Sequence, residues 1–322
     1  MKKKYPMLIE PVLKDYIWGG VKLVEKWGKP LPGGFGCAAE SWELSLRGDA
    51  PSRVLNGEFK GQTLYEVLEF NPEFAGKKCL SFPRFPTLIK LIDAKQNLSV
   101  QVHPSDRYAL ANEKSYGKSE VWFILDAEKD AGIFFGFCRD TSRAEVLRRI
   151  GENTLTEILN FVPVAKGDVY MIEAGTVHAI GAGITLAEIQ QNSDLTYRVY
   201  DFGRVGRDGK PRELHVQKAL AVMNFKGGKA TPAAFPYVDY FGFKKRLIAD
   251  DKYFFSEFYR IDGSCPLFNE DCFIAVTAAE GRAELVCGGE KTALQKGATA
   301  FIPAGLEITV KGEAEFITTT LR

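Results

Sequence analysis

Histidine is scarce in this 322-residue chain, with only three, His103, His178 and His215. That excludes a histidine-rich tract and lets each one be weighed alone. Cysteine occurs six times but never as C-x-x-C, so zinc-ribbon and thioredoxin-type motifs are excluded. The basic start Met1-Lys2-Lys3-Lys4-Tyr5-Pro6 has no apolar stretch behind it, as an export signal would. The thiols therefore read as free packing residues of a cytoplasmic protein. No apolar run approaches the ~18 residues of a membrane span. Nor does one sign of charge dominate. With 42 basic and 41 acidic side chains the net charge is +1, which gives no footprint for nucleic acid or an anionic membrane. What remains is a globular chain long enough for one large domain or two ordinary ones, and its charge balance is compatible with a local basic pocket for a small anion.

Most of the chain consists of short strand-like runs between turn signals. Residues 87–92, 98–102, 121–125 and 132–137 are rich in β-branched and aromatic side chains, as buried sheet requires. Asn56-Gly57 and Asp208-Gly209 read as hairpin turns. Helical periodicity is confined to Gln62–Asn71, to Ser142–Asn160 and to Arg212–Asn224. The second stretch reads as two short helices broken near Gly151. Thr141 or Ser142 caps the first and Thr154 the second.

An internal echo organises these pieces. Lys166-Gly167 and Ala174-Gly175 recur as Lys296-Gly297 and Ala304-Gly305, 130 positions on, each time framing a strand and leading into another. Upstream, Phe123-Ile124 matches Phe273-Ile274 at an offset of 150, and a helical segment near 141–160 accounts for the 20-residue difference. The chain thus reads as mainly β, with two jelly-roll barrels, a small helical insertion, and short N-terminal and linking helices. The division expected is 1–230 for the first domain and 231–322 for the second. His178 faces Ile308 in the echo, so only the first copy carries chemistry at that place.

Gln101 and His103 leave the same face of a strand. Glu120 precedes the strand Val121–Leu125, and His178 opens another some sixty residues on. Two imidazoles and a carboxylate suit a borderline divalent ion, and they leave positions open for water, substrate or the Gln101 amide. That composition fits catalytic rather than structural zinc. Lys118 shares a face with Glu120 if the segment is extended. Glu188 and Arg198 flank the polar loop Asn192-Ser193-Asp194, and Arg198 is suited to a phosphate or a developing oxyanion. His215, in a helical and basic setting, reads as structural.

Taken together, the runs Leu98-Ser99-Val100-Gln101-Val102-His103-Pro104, Gly117-Lys118-Ser119-Glu120, Ala174-Gly175-Thr176-Val177-His178-Ala179 and Asn192-Ser193-Asp194-Leu195-Thr196-Tyr197-Arg198 resemble type I phosphomannose isomerase, a zinc enzyme of the cupin superfamily. Tyr16-Ile17-Trp18-Gly19-Gly20 and Glu40-Ser41-Trp42-Glu43 add to the likeness, which covers the first two thirds of the chain. The length resembles that of the short bacterial form. Arg198-Val199-Tyr200-Asp201-Phe202 departs from the Arg-Ala-Gly wording of the long forms. The resemblance implies two cupin-type barrels, the second degenerate and without ligands. It implies one Zn2+ per chain on Gln101, His103, Glu120 and His178, with Ser99 and Lys118 near the substrate and Arg198 as an essential cation. The implied reaction interconverts mannose 6-phosphate and fructose 6-phosphate through an enediol(ate), with Glu188 or Lys118 as the base and Glu188 preferred. A monomer is expected. Two other readings compete: a cupin non-haem iron dioxygenase, because the same ligands suit iron, and a sugar-phosphate-binding cupin without turnover.

Overall fold

The computed structural model describes residues 2–322. In chain order the first strands are β1 (Met7–Glu10), β2 (Val12–Lys14), β3 (Glu40–Leu44), β4 (Arg53–Val54), β5 (Thr87–Ala94), β6 (Val100–Val102) and β7 (Glu120–Ala127). β8 (Gly132–Phe137), β9 (Leu159–Pro163), β10 (Val169–Ile172), β11 (His178–Ile180), β12 (Ile184–Gln191) and β13 (Tyr197–Tyr200) follow. The C-terminal part contributes β14 (Val238–Tyr240), β15 (Phe243–Asp250), β16 (Phe255–Leu267), β17 (Ile274–Cys287), β18 (Glu290–Gln295), β19 (Thr299–Ile302) and β20 (Ile308–Thr320). Helices are short: α1 (Lys22–Glu25), α2 (Leu64–Phe70), α3 (Lys77–Leu80), α4 (Asp106–Asn112), α5 (Arg143–Gly151) and α6 (Val216–Val222). None is long and apolar enough to cross a membrane.

Two sheets form the first barrel. One has the order β10-β7-β12-β5-β3-β2 and the other β13-β6-β11-β8-β9. Ile92, Trp122, Ile124 and Leu186 from the first meet Ile133 and Ile180 from the second in a shared core. β5 and β12 are buried on both faces; Leu88–Ile92 of β5 accordingly reads as a nearly continuous apolar run, whereas β12 buries the polar Thr185, Glu188, Gln190 and Gln191. Their outer face, through Ile89, Leu91, Ala187 and Ile189, packs against Phe254, Phe258, Phe273 and Phe301 of the C-terminal part.

The third sheet runs β14-β15-β16-β20-β17-β19-β1-β4, with β18 on β17. β1 pairs with β19, Met7 opposite Phe301, so the N-terminal strand belongs to the sheet of the C-terminal region. This pairing crosses the chain-order division at 230. β16, β17 and β20 run for 13, 14 and 13 residues. Gly281 relieves crowding where β17 crosses β20: at φ +75 a Cβ there would lie 2.3 Å from the Glu313 carbonyl oxygen. On both sides of that point the strands contribute to a second core that includes Leu267, Ile274, Val276, Ile302 and Ile308.

Strand registers define the repeat. Thr176 donates to the Glu173 carbonyl at 3.1 Å, and Leu306 to the Pro303 carbonyl at 3.2 Å, so the two Ala-Gly turns are built alike. Val169 is opposite Phe123, whereas Thr299 is opposite Thr277. The structural partner of Phe123 is therefore Thr277, not Phe273, and the upstream offset is 154 rather than 150. Identical Phe-Ile pairs mislead here, because register is set by ladder hydrogen bonds and not by apolar identity.

Helix expectations hold in outline. α2 starts on a Thr63–Glu66 capping box, and Ser142 accepts from the Glu145 amide to cap α5. Past Gly151 there is a single 3-10 turn, Leu155–Ile158, and Asn160 lies in β9. Thr154 occupies the N-cap position of that turn without a side-chain bond. The third helix shrinks to Val216–Val222. Asn56-Gly57 is part of a longer loop closed by Val54 and Gln62. Asp208-Gly209 does form a turn, in which Gly209 donates to the Gly206 carbonyl at 3.0 Å and Gly206 to that of Lys210 at 2.7 Å, but its flanks pair only as an isolated bridge between Val205 and Pro211.

Candidate metal centre

Strands from both sheets of the first barrel deliver the candidate ligands. Glu120 is the first residue of β7, His178 the first of β11, and His103 lies one residue past β6. In the ladders His178 is opposite Gln101, and Glu120 is opposite both Ile172 and Gln190. One ligand atom from each of His103, Glu120 and His178 falls within 4.8 Å of the others, and all three side chains are buried. His178 Nε2 lies 3.3 Å from Glu120 Oε1, and His103 Nε2 lies 3.7 Å from Glu120 Oε2.

The surroundings orient both rings. His103 Nδ1 is 3.0 Å from the Leu195 carbonyl oxygen, and His178 Nδ1 is 2.8 Å from that of Thr176. A carbonyl only accepts, so each Nδ1 carries the proton and each Nε2 turns a lone pair inward. Burial, then the nearby Lys118 cation, pull His103 well below its ordinary pKa. Burial takes His178 down to about 4. Both rings are thus neutral near pH 7, as ligation requires. Burial and the charge of Glu188 push the Glu120 carboxyl up. His178 Nε2 and Glu120 Oε1 have no hydrogen-bond partner although both are buried. Unsatisfied buried acceptors converging on one point are what a divalent cation satisfies, so these residues fit one.

Charges spread outward from this centre. Lys118 pairs with Glu120, and its Nζ lies 3.3 Å from His103 Nε2 and 3.6 Å from Glu188 Oε1. Glu188 also accepts from Lys90 at 3.1 Å and from the Trp122 indole at 3.0 Å. Burial opposes its charge, but Lys118, Lys90 and Trp122 outweigh that and hold its carboxyl down at about 2. Lys90 lies 3.7 Å from Glu40, which accepts from the Trp42 indole at 2.7 Å. Trp122, Glu188, Lys90 and Trp42 sit opposite one another across β7, β12, β5 and β3, forming one row.

On the other sheet Arg198 is opposite Gln101. Its Nε donates to Ser99 Oγ at 3.2 Å and its Nη1 to the Glu213 carbonyl at 3.0 Å. Among the described residues no carboxylate pairs with it. An unneutralised, half-buried guanidinium is suited to an anion from solution. The Arg198 amide donates to His215 Nδ1 at 3.3 Å, and the His215 amide to the Arg198 carbonyl at 2.7 Å. His215 therefore steadies the arginine's backbone.

The structure thus brings His103, Glu120, His178, Lys118 and Glu188 into one cluster. Gln101, half-buried, is opposite His178 on one side and Arg198 on the other, so Arg198, bonded to Ser99, belongs to the same sheet as His178. Sequence reasoning missed Lys90 and Glu40. A lysine in the middle of Leu88-Ile89-Lys90-Leu91-Ile92 was the available signal, since a buried lysine needs a partner. The second copy replaces the ligand positions. By register Gln101 corresponds to Leu267, Glu120 to Ile274 and His178 to Ile308. His103 corresponds to Asn269, whose carbonyl accepts from Gly305 as that of His103 does from Gly175.

Comparison with known proteins agrees with this architecture. A model of the catalytic domain of type I phosphomannose isomerase matches residues 7–131, and one of the mannose-6-phosphate isomerase cupin domain matches residues 244–321. Mannose-6-phosphate isomerase ManA of Bacillus subtilis is 36% identical over 318 residues, covering 98% of this chain and 99% of its own. Mannose-6-phosphate isomerase of Streptococcus mutans is 33% identical over 299 residues, 92% of each chain. The crystal structure of mannose 6-phosphate isomerase from Bacillus subtilis superposes with a TM-score of 0.90 at 32% identity, covering 98% of this chain and 99% of that one. With relatives matched along nearly its whole length and a mainly β fold of the cupin kind, the chain belongs to the type I phosphomannose isomerase family.

Proposed function

We propose that this enzyme interconverts mannose 6-phosphate and fructose 6-phosphate, with one zinc ion held by His103, Glu120, His178 and the Gln101 amide oxygen. The observation that carries the reading is the pair of orphaned buried acceptors, His178 Nε2 and Glu120 Oε1, beside the uncompensated Arg198. A bound divalent cation would supply polarisation of the sugar oxygens. Arg198, steadied by Ser99 and His215, receives the phosphate or the negative oxygen of the enediolate. Glu188 is the favoured base, with Lys118, 3.6 Å away, the alternative.

In the aldose-to-ketose direction the base takes the proton from C2. The electrons form a C1–C2 double bond and O1 gains a proton. Return of a proton to C1 and loss of one from O2 leave the carbonyl at C2. Trp122, Glu188, Lys90 and Trp42 wall the cleft and keep water from the intermediate. Residues 1–230, apart from β1 and β4, which join the third sheet, form the catalytic unit, and 231–322 supply the rest of a second barrel without ligands. The enzyme works as a monomer in the cytoplasm, and its unpaired cysteines suit that reducing compartment.

A coupled assay for fructose 6-phosphate, run on metal-loaded and metal-stripped protein, tests the proposal. Turnover that disappears on stripping and returns with zinc supports it. Undiminished turnover after complete stripping contradicts the metal role. Stoichiometric iron with substrate-dependent oxygen uptake contradicts isomerisation, as does sugar phosphate binding without turnover.

A further inference from the structure

The motif Glu40-Ser41-Trp42-Glu43 holds two acids that the fold uses differently. Glu40 and Trp42 lie on the face of the sheet that carries Lys90 and Glu188, where the proposed sugar site lies. Glu43 is the bulged residue of β3, since Trp42 is opposite Lys90 while Leu44 is opposite Ile89. Glu43 shares the face of Ser41 by ordinary strand alternation, and its carboxylate reaches toward Thr299 of the second barrel; the bulge brings Leu44 onto that face as well, beside Ile89. The Glu43 carboxylate lies 2.5 Å from Lys29 Nζ, with side chains 0% and 5% exposed. Its oxygens also accept from Ser41 Oγ at 2.6 Å and from Thr299 Oγ1 at 2.9 Å. Thr299 Oγ1 is 3.0 Å from Thr277 Oγ1. The lysine also donates to the Gly297 carbonyl at 2.5 Å. Backbones meet closely there, for a Cβ at Gly297 would lie 2.2 Å from the Trp27 carbonyl oxygen.

Every charged atom of this network is satisfied, and its members come from the N-terminal segment, β3, β17 and β19. Burying such a pair costs desolvation that an apolar pair avoids, so its retention points to specificity rather than stability. We propose that the Lys29–Glu43 pair is a positioning device through which the ligand-free second barrel fixes the β3 bulge, and thereby the Trp42–Glu40 wall of the sugar cleft. The inference rests on the sugar phosphate reading given above. Pulling Glu43 toward Thr299 pins the bulge. With it pinned, Trp42 and Glu40 stay aligned with Lys90 and Glu188. Lys29, Glu43 and Thr299 touch no substrate and act only through that wall.

The test uses the full-chain, metal-loaded enzyme. The double variant Lys29→Met/Glu43→Leu removes both charges together and leaves no lone buried ion. It is expected to match the wild-type melting temperature and metal content, with KM for mannose 6-phosphate raised about tenfold, since small misplacements of a site are costly. Amide exchange within residues 40–44 is expected to speed up about tenfold while the rest of the first barrel is unchanged. Thr299→Ser keeps the hydroxyl and should behave as wild type, whereas Thr299→Val should move KM and exchange in the same direction as the double variant. A stable double variant with wild-type KM and wild-type exchange at 40–44 overturns the proposal. If the double variant fails to fold, Thr299→Val decides on the same two readouts. A wild-type enzyme inactive on mannose 6-phosphate would refute the substrate reading alone, leaving exchange at 40–44 to decide the positioning role.

Discussion

His178 Nε2 and Glu120 Oε1 face each other at 3.3 Å, and neither has another polar partner. Two strands that do not adjoin in sequence are thus brought together around a point of concentrated lone pairs. His178→Ala removes one ligand and leaves a small hole beside Trp122, whose ring is 5.4 Å from the imidazole. The variant is expected to fold but to lose its metal on dialysis, since losing one of few ligands weakens binding severely. Elemental analysis of the purified variant checks this. Full metal content would remove His178 from the ligand set.

Arg198→Ala should behave in the opposite way. Its guanidinium contacts Ser99 and the Glu213 carbonyl, not the ligands. Metal content is expected to stay at the wild-type level while turnover falls about 100-fold or more, the scale seen when a preorganised charge at a reacting oxygen is lost. Steady-state kinetics alongside metal analysis separate the two variants.

Asp106 gives a pH dependence with a definite sign. It accepts from the Gly117 amide at 2.9 Å, from Gln191 at 2.7 Å and from the Tyr253 hydroxyl. Burial works against its charge, but those bonds outweigh it and lower its pKa from 3.8. A depressed carboxyl stabilises the fold at every pH above its ordinary value, and that stabilisation is lost as pH falls through the lowered one. The melting-temperature difference between wild type and Asp106→Asn should therefore be constant from pH 5 to 7, roughly, and shrink below about 4. A difference that grows on acidification would contradict this.

Gly281 tests how the second barrel closes. Gly281→Ala forces a side chain into the left-handed region and against the Glu313 carbonyl. A loss of about 2 kcal/mol or more is expected in denaturant unfolding, with β17 and β20 unable to keep their spacing. Gly288→Ala, also at positive φ but with no atom within 4 Å of the added methyl, should cost less.

The cluster of His103, Glu120 and His178 was legible because its signal is local. Gln101 and His103 alternate on one strand, Glu120 and His178 begin others, and few histidines compete for attention. The Ala-Gly turns were legible too, since a turn writes its geometry into a few adjacent residues. Pairing between distant segments was not. Nothing in Met7–Glu10 says that this strand joins Thr299–Ile302 rather than its chain neighbours. The true match of Phe123 with Thr277 was hidden because core positions accept many side chains. Lys90 and Glu40 belong to the same class. Each carries its meaning only once β3, β5 and β12 are side by side.

Leu267, Ile274 and Ile308 stand where the first barrel keeps Gln101, Glu120 and His178. A doubled scaffold needs its polar centre only once. The second copy has filled the same places with hydrocarbon, and it gains the cohesion that a polar centre forgoes. Half of the architecture therefore stands on apolar packing alone, whatever the His103, Glu120 and His178 group of the first barrel holds.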